Sequence, residues 1–157
     1  MPGEGLPATR LDDARAVLFE ALQRVWIALG WPADAATPFP PPEPVAPGAW
    51  VEIPTVHQAP DRAAGAVAAT FPVVFVVDGA EEQQMKLQDR LLAYGWQELA
   101  AAPAGIGTST VTTAGPEEVD VGPGTTRGLV FRVQVILQRK TLCPQKLAQD
   151  NDEGTTP

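Results

Sequence analysis

The stretch Phe71-Pro-Val-Val-Phe-Val-Val77 is apolar at every position, and Asp78 follows it at once. A strand without a polar face is covered on both sides or central in its sheet. Asp78, with Glu81 three residues on, reads as a helix N-cap with an acidic partner. Both acids suit the positive end of a helix dipole. The partner of this unit is Gly128–Gln138. There Leu129, Phe131, Val133, Val135 and Leu137 alternate strictly with Val130, Arg132, Gln134, Ile136 and Gln138. That pattern belongs to a strand with one core face and one half-wet face.

Between the two strands, a helix is predicted from about Ala80 to Ala101, stopped by Pro103 and Gly105. Its apolar residues form two stripes. Met85, Leu92, Trp96 and Leu99 share one side, and Leu87, Leu91 and Tyr94 share another. At about 100° per residue, the stripes lie more than about 90° apart. Such a helix has two apolar partners. One is the sheet, and the other is the first helix or another subunit.

That first helix is predicted over residues 11–29. Leu11, Leu18, Leu22, Val25 and Leu29 fall on one face, with Ala14 and Ala21 beside them. Thr9 and Asp12 form a capping box with a shorter acid, and Gly30 then Pro32 signal the stop. Ile27 lies on the polar face, either as a stray surface residue or as a contact to a neighbour.

The remaining segments follow from turn chemistry. Residues 32–47 hold seven prolines and read as a stiff connector, because no basic anchor of a proline-ligand motif flanks them. Trp50–Val56 alternates weakly and reads as a strand near an edge because of Pro54. An alanine-rich loop is expected over 57–70. Ile106–Thr113 reads as a polar strand, and 114–126 as a flexible acidic loop carrying Glu117, Glu118 and Asp120. The order helix, strand, strand, helix, strand, strand predicts one α+β domain over residues 1–144. Its sheet is expected to have about four strands, mixed or antiparallel, with both helices on one face. Residues 145–157 read as a polar tail.

Composition narrows the function classes. The chain has 157 residues, 45% hydrophobic and 19% charged, with 17 prolines and 14 glycines. That suits one domain rich in turns. A net charge of −8 argues against a protein that coats nucleic acid. One cysteine permits no intrachain disulfide and is consistent with a reducing compartment. No segment reaches the roughly 20 apolar residues of a membrane span, and Met1–Arg10 lacks the apolar core of a signal peptide.

Catalytic groups are scarce: one histidine (His57), one cysteine (Cys143), one serine (Ser109) and one tyrosine (Tyr94). No motif pairs His57 with Cys143, and no second ligand completes a metal site with His57 and Asp61. Glu117, Glu118 and Asp120 lack the ligand pattern of a calcium loop. Gly122-Pro-Gly124 precedes a strand, so it offers no phosphate cradle at a helix start. Arg127, Arg132, Arg139 and Lys140 form a basic cluster, read as a solvated face or as interface ion pairs. The inventory points to no enzyme, no cofactor and no metal.

The segments Phe71–Ala80, the helix with Gln84 and Leu87 to Leu92, Thr126–Val135 and Arg139–Pro144 resemble the tail terminator proteins of long-tailed, siphovirus-type phages, most of all those of actinobacteria. The resemblance covers about residues 8–144. It implies a virion structural protein of the tail and neck, assembled in the host cytoplasm. Such proteins form a hexameric ring at the head-proximal end of the tail tube, which stops tube polymerisation and joins the tail to the neck. The implied partners are the chain itself as a homohexamer, the tail tube protein and a head–tail connector or stopper protein. DNA is implied only as passing cargo, and no membrane is implied. The alternative within the same class is another neck component, such as a head–tail stopper or adaptor. In such a ring Leu87, Leu91, Tyr94, Ile27, Arg132, Arg139 and Lys140 are the expected interface. Glu117, Glu118 and Asp120 are expected to line a lumen through which DNA passes without adhering. Outside this class, the proline run as a partner's ligand is the competing reading.

Overall fold

The computed structural model describes residues 9–59, 66–77, 81–102, 107–122 and 124–138, with backbone only for 81–84 and 138. Helix α1 spans Arg10–Ala28 and helix α2 spans Glu81–Ala101. The strands are β1 (Ala36–Thr37), β2 (Gly48–Val51), β3 (Thr55–Gln58), β4 (Ala66–Val76), β5 (Thr108–Val121) and β6 (Gly124–Gln138). The fold is α+β as expected, but the sheet has six strands and not four. Its order is β1-β2-β4-β6-β5, with β3 also pairing β4. Among the described residues the short β1–β2 pair alone is parallel, so the sheet is mixed.

One extra strand is β1, inside the stretch 32–47 expected as a connector, and the other comes from the division of one expected strand. Trp50–Val56 breaks at Glu52–Pro54 into β2 and β3, and both pair with β4 along the same edge. Pro72 sits opposite that break. Its carbonyl accepts from the Glu52 amide at 2.8 Å. A strand residue points its N and its C=O the same way, so the missing N–H of Pro72 faces the gap and costs no bond to β6. The alanine-rich stretch expected as a loop over 57–70 is strand at 57–58 and 66–70. His57 and Gln58 end β3, and Ala66–Thr70 begin β4. Pairing with β3 and β6 overrides the weak strand preference of alanine.

The acidic loop expected over 114–126 is strand at 114–121 and 124–126, with a turn at Gly122. β5 continues to Val121 and pairs with β6 down to Gly124. Glycines and Pro116 in this stretch suggest a loop, but the hairpin tolerates them because β5 is the outer strand. A bulge between Val111 and Thr113 changes the phase of β5. The Thr112 hydroxyl donates to the Arg132 carbonyl at 3.2 Å there.

Both helices pack on one face of the sheet. Leu18, Leu22 and Trp26 of α1 and Leu91 and Leu99 of α2 share a core with Phe71, Val73, Phe75, Phe131 and Val133. Each fully buried leucine or phenylalanine contributes roughly 1.5–3 kcal/mol of transfer free energy. At the N-terminus of α1, Thr9 and Asp12 form the expected reciprocal capping box. At its C-terminus Gly30 takes φ +95°, its amide bonds Ile27 and the Trp31 amide bonds Trp26. That is a Schellman stop, reinforced by the stacked Trp26 and Trp31 rings.

Helix α2 is seated by Gly95. A β-carbon there would lie 2.6 Å from the tip of Phe131. The missing side chain lets the helix descend onto the ring, which is itself packed edge-on against Phe75.

Candidate functional site

The residues expected at an interface divide into three groups. Leu91 is fully buried in the core and belongs to this chain's own packing, not to its surface. The reason is the seat on Gly95: the buried line of α2 is Leu91, Gly95 and Leu99, which cuts across both expected stripes. Leu87 is half-buried. Tyr94 and Ile27 stand 59% and 49% exposed, and Met85 and Trp96 of the other stripe are also exposed. Arg139 and Lys140 lie outside the described residues.

Tyr94 borders a groove of about 670 Å³ between the helices, with Val25, Ala28, Leu29 and Arg90. An exposed ion pair between Arg24 and Glu98, at 3.3 Å, bridges the two helices there. Such a pair contributes little, about 0–1 kcal/mol.

Arg132 projects from the helix-free face of β6. It holds Glu117 through both guanidinium nitrogens, and the Nη2–Oε1 bond measures 3.0 Å. Hydrogen bonding to Arg132 lowers the Glu117 pKa below its ordinary value, and the same bond raises that of Arg132. The pair joins neighbouring strands after the β5 bulge has turned Glu117 to the face of Arg132. The register separates the other two acids. Glu117, Val119 and Val121 alternate with Glu118 and Asp120, and Glu118 stands opposite Arg127. The three acids are therefore not one patch on a loop, and the charge of Glu117 is neutralised by Arg132.

The helix-free face has its own small cluster of Trp50, Val74, Val76 and Val130, with Val119 and Val121 against it. The proline segment runs beside it and is tied at both ends. The Gly122 amide at the hairpin tip donates to the Pro44 carbonyl at 2.8 Å. At the other end Arg15 donates to the carbonyls of Pro38 (2.8 Å), Val51 (2.6 Å) and Glu52 (3.1 Å). Its guanidinium lies 4.2 Å from the Phe39 ring centre, a cation–π contact. Burial lowers the Arg15 pKa, against opposing pulls from Asp12 and Glu52. The connector is thus a strap held to α1 and to the hairpin. Arg15 was not among the expected functional residues. Its spacing, four residues after Leu11 and three before Leu18, places it on the apolar stripe and was the available signal.

The groups with nucleophilic or acid–base potential are dispersed. His57 is exposed on β3, Ser109 donates to the Ala100 carbonyl at 2.7 Å, and Tyr94 lies on α2. Cys143 and Asp61 lie outside the described residues. Among the described residues no group of three or more His, Cys, Asp or Glu is arranged to hold a metal ion. No described helix is long and apolar enough to cross a membrane. No family model matches the chain, and no curated protein matches it.

Proposed function

We propose that the chain is a virion structural subunit that forms a ring at the head-proximal end of a phage tail tube, terminates the tube and joins it to the neck. The observation that carries this reading is the unburied apolar surface of the helix layer. Ile27, Met85, Tyr94 and Trp96 stay exposed although the chain has a complete core beneath them. Large apolar side chains left out of a filled core suit contacts with further subunits. The resemblance of the Phe71–Val135 region to tail terminators supplies the kind of assembly. β1 and β3 on one side of the sheet and β5 on the other have no further strand beside them among the described residues, which also suits a chain that neighbours its own copies. The lumen role of the acidic stretch has less support, since Glu117 is paired and the acids alternate between two faces.

The test is to determine the mass of the native assembly and to image tails made without the protein. A mass of about six chains and overlong tails support termination. Tails of normal length that fail to join heads would move the role to a stopper or adaptor.

A further inference from the structure

Beside the strap, three shallow depressions of about 400, 310 and 410 Å³ adjoin one another. The first shares Pro44 and Asp120 with the third and Glu43 with the second, and Trp50 belongs to both the second and the third. Their floor is apolar: Trp50, Val74 and Val130, with the exposed side chains of Val45 (62%) and Ile53 (65%) beside it. Their rim is acidic. The carboxylates on it are those of Asp34, of Glu43, of Glu52, which accepts from the Trp50 indole N–H at 2.8 Å, and of Glu117, which is bound to Arg132; Glu118 and Asp120 line it from β5 with their side chains on the other face. An apolar floor with an acidic rim selects a partner that is basic and apolar.

The chain carries such a segment. Arg139-Lys-Thr-Leu-Cys-Pro-Gln-Lys-Leu147 holds three of the 11 basic residues and no acid, with Leu142 and Leu147 between and after them. It lies outside the described residues and continues directly from β6. Position separates its first two basic residues from the patch of their own chain. Gln138 pairs with Ala66, whereas the patch lies at the row Val130–Val74–Trp50, eight residues back along β6. At about 3.3 Å per residue that is roughly 26 Å. Arg139 and Lys140, one and two residues past the strand end, cannot cover that distance.

We infer that the acidic, Trp50-floored patch binds the 139–147 segment of a second copy of this chain. Arg139, Lys140 and Lys146 meet the carboxylates, and Leu142 and Leu147 lie on the apolar floor. The contact deepens the ring reading by naming a subunit contact, but it does not rest on closure: a pair, an open chain or a ring would all use it.

The experiment uses full-length chains, one batch labelled with ¹⁵N and one unlabelled, mixed and treated with a carbodiimide. The expected products join Lys140 or Lys146 of one isotope to Asp34, Glu43 or Glu52 of the other. Charge reversal follows. R139E/K140E/K146E is expected to weaken self-association at least about tenfold at low salt, and D34K/E43K to do the same. Mixing the two reversed chains is expected to restore it. Rim charges are screened over roughly 8–10 Å at physiological salt, so the effect shrinks as salt rises. Cross-links confined to one isotope, no cross-link between these residues, or no rescue on mixing would overturn the inference. The two readings fail separately. A ring mass that survives in R139E/K140E/K146E leaves the ring standing and removes this contact. Cross-links between isotopes in an assembly that never closes would do the reverse.

Discussion

Helices α1 and α2 are of similar length and both carry ample apolar residues, yet they are buried very differently. α1 buries Ala14, Arg15, Leu18, Ala21, Leu22, Val25 and Trp26 along one continuous face. In α2 only Leu91, Gly95 and Leu99 are buried among the described side chains, while Met85, Tyr94 and Trp96 remain outside. Each helix lies over one end of the sheet, α1 against β1, β2 and β4 and α2 against β6 and β5. The difference lies in what else packs on them. α1 is closed in by Trp31, stacked on Trp26, and by the 38–39 stretch held to Arg15, whereas α2 rests on the sheet through Leu91, Gly95 and Leu99. Apolar content alone does not decide burial; what packs around a helix does.

Substitutions sharpen this contrast, beginning with the largest effect. Leu22→Ala empties a fully buried site under α1 and is expected to destabilise by about 2–5 kcal/mol in denaturant unfolding. A cost under about 1 kcal/mol would mean that α1 is no better seated than α2. Arg15→Met keeps the aliphatic stem but removes the donors to three carbonyls. Unsatisfied carbonyls cost about 1–3 kcal/mol each when buried, and solvent reaches part of this site, so about 2–3 kcal/mol is expected in total. Faster amide exchange in the strap and at Gly122 should accompany that loss, and unchanged exchange there would refute the anchoring role.

Gly95→Ala tests the seat of α2. Alanine gains about 1 kcal/mol of helix propensity, but its β-carbon overlaps a ring held by Phe75, and overpacking costs about 1–3 kcal/mol. A net loss of about 1 kcal/mol is expected, and a stabilised variant would show that α2 does not rest on Phe131. Tyr94→Ser should change folding stability by no more than about 0.5 kcal/mol, because the side chain is exposed. Its expected effect is weaker self-association in sedimentation experiments. If stability falls and association does not, Tyr94 serves its own subunit.

The strands that decided the fold were legible because their patterns are extreme. Phe71–Val77 has no polar face, and Gly128–Gln138 alternates without a break, so few other packings satisfy them. The ends of α1 were equally legible, since capping boxes and glycine stops are local chemistry. The acidic stretch 114–126 was misread because its glycines and Pro116 carry loop signals, whereas strand pairing is a long-range matter. The same limit hid the strand character of Ala66–Thr70 and the break that divides β2 from β3.

For the candidate surfaces, the exposure of Ile27 and Tyr94 was within reach of helical periodicity, but the burial of Leu91 was not. Periodicity reports which residues share a face and is silent on how deeply a helix sits. The patch around Trp50 was beyond it as well, because Glu43, Glu52 and Glu117 come from three separate segments.

By itself the sequence determined an acidic α+β domain, its two helices, its two principal strands and a basic segment after the last of them. Those are matters of composition, period and local capping. The tertiary structure alone decided that the proline run is a strap, that Glu117 belongs to Arg132, and that α2 rests on Gly95 with Met85, Tyr94 and Trp96 outside. Each of these depends on residues far apart in the chain meeting in space, which no local pattern encodes.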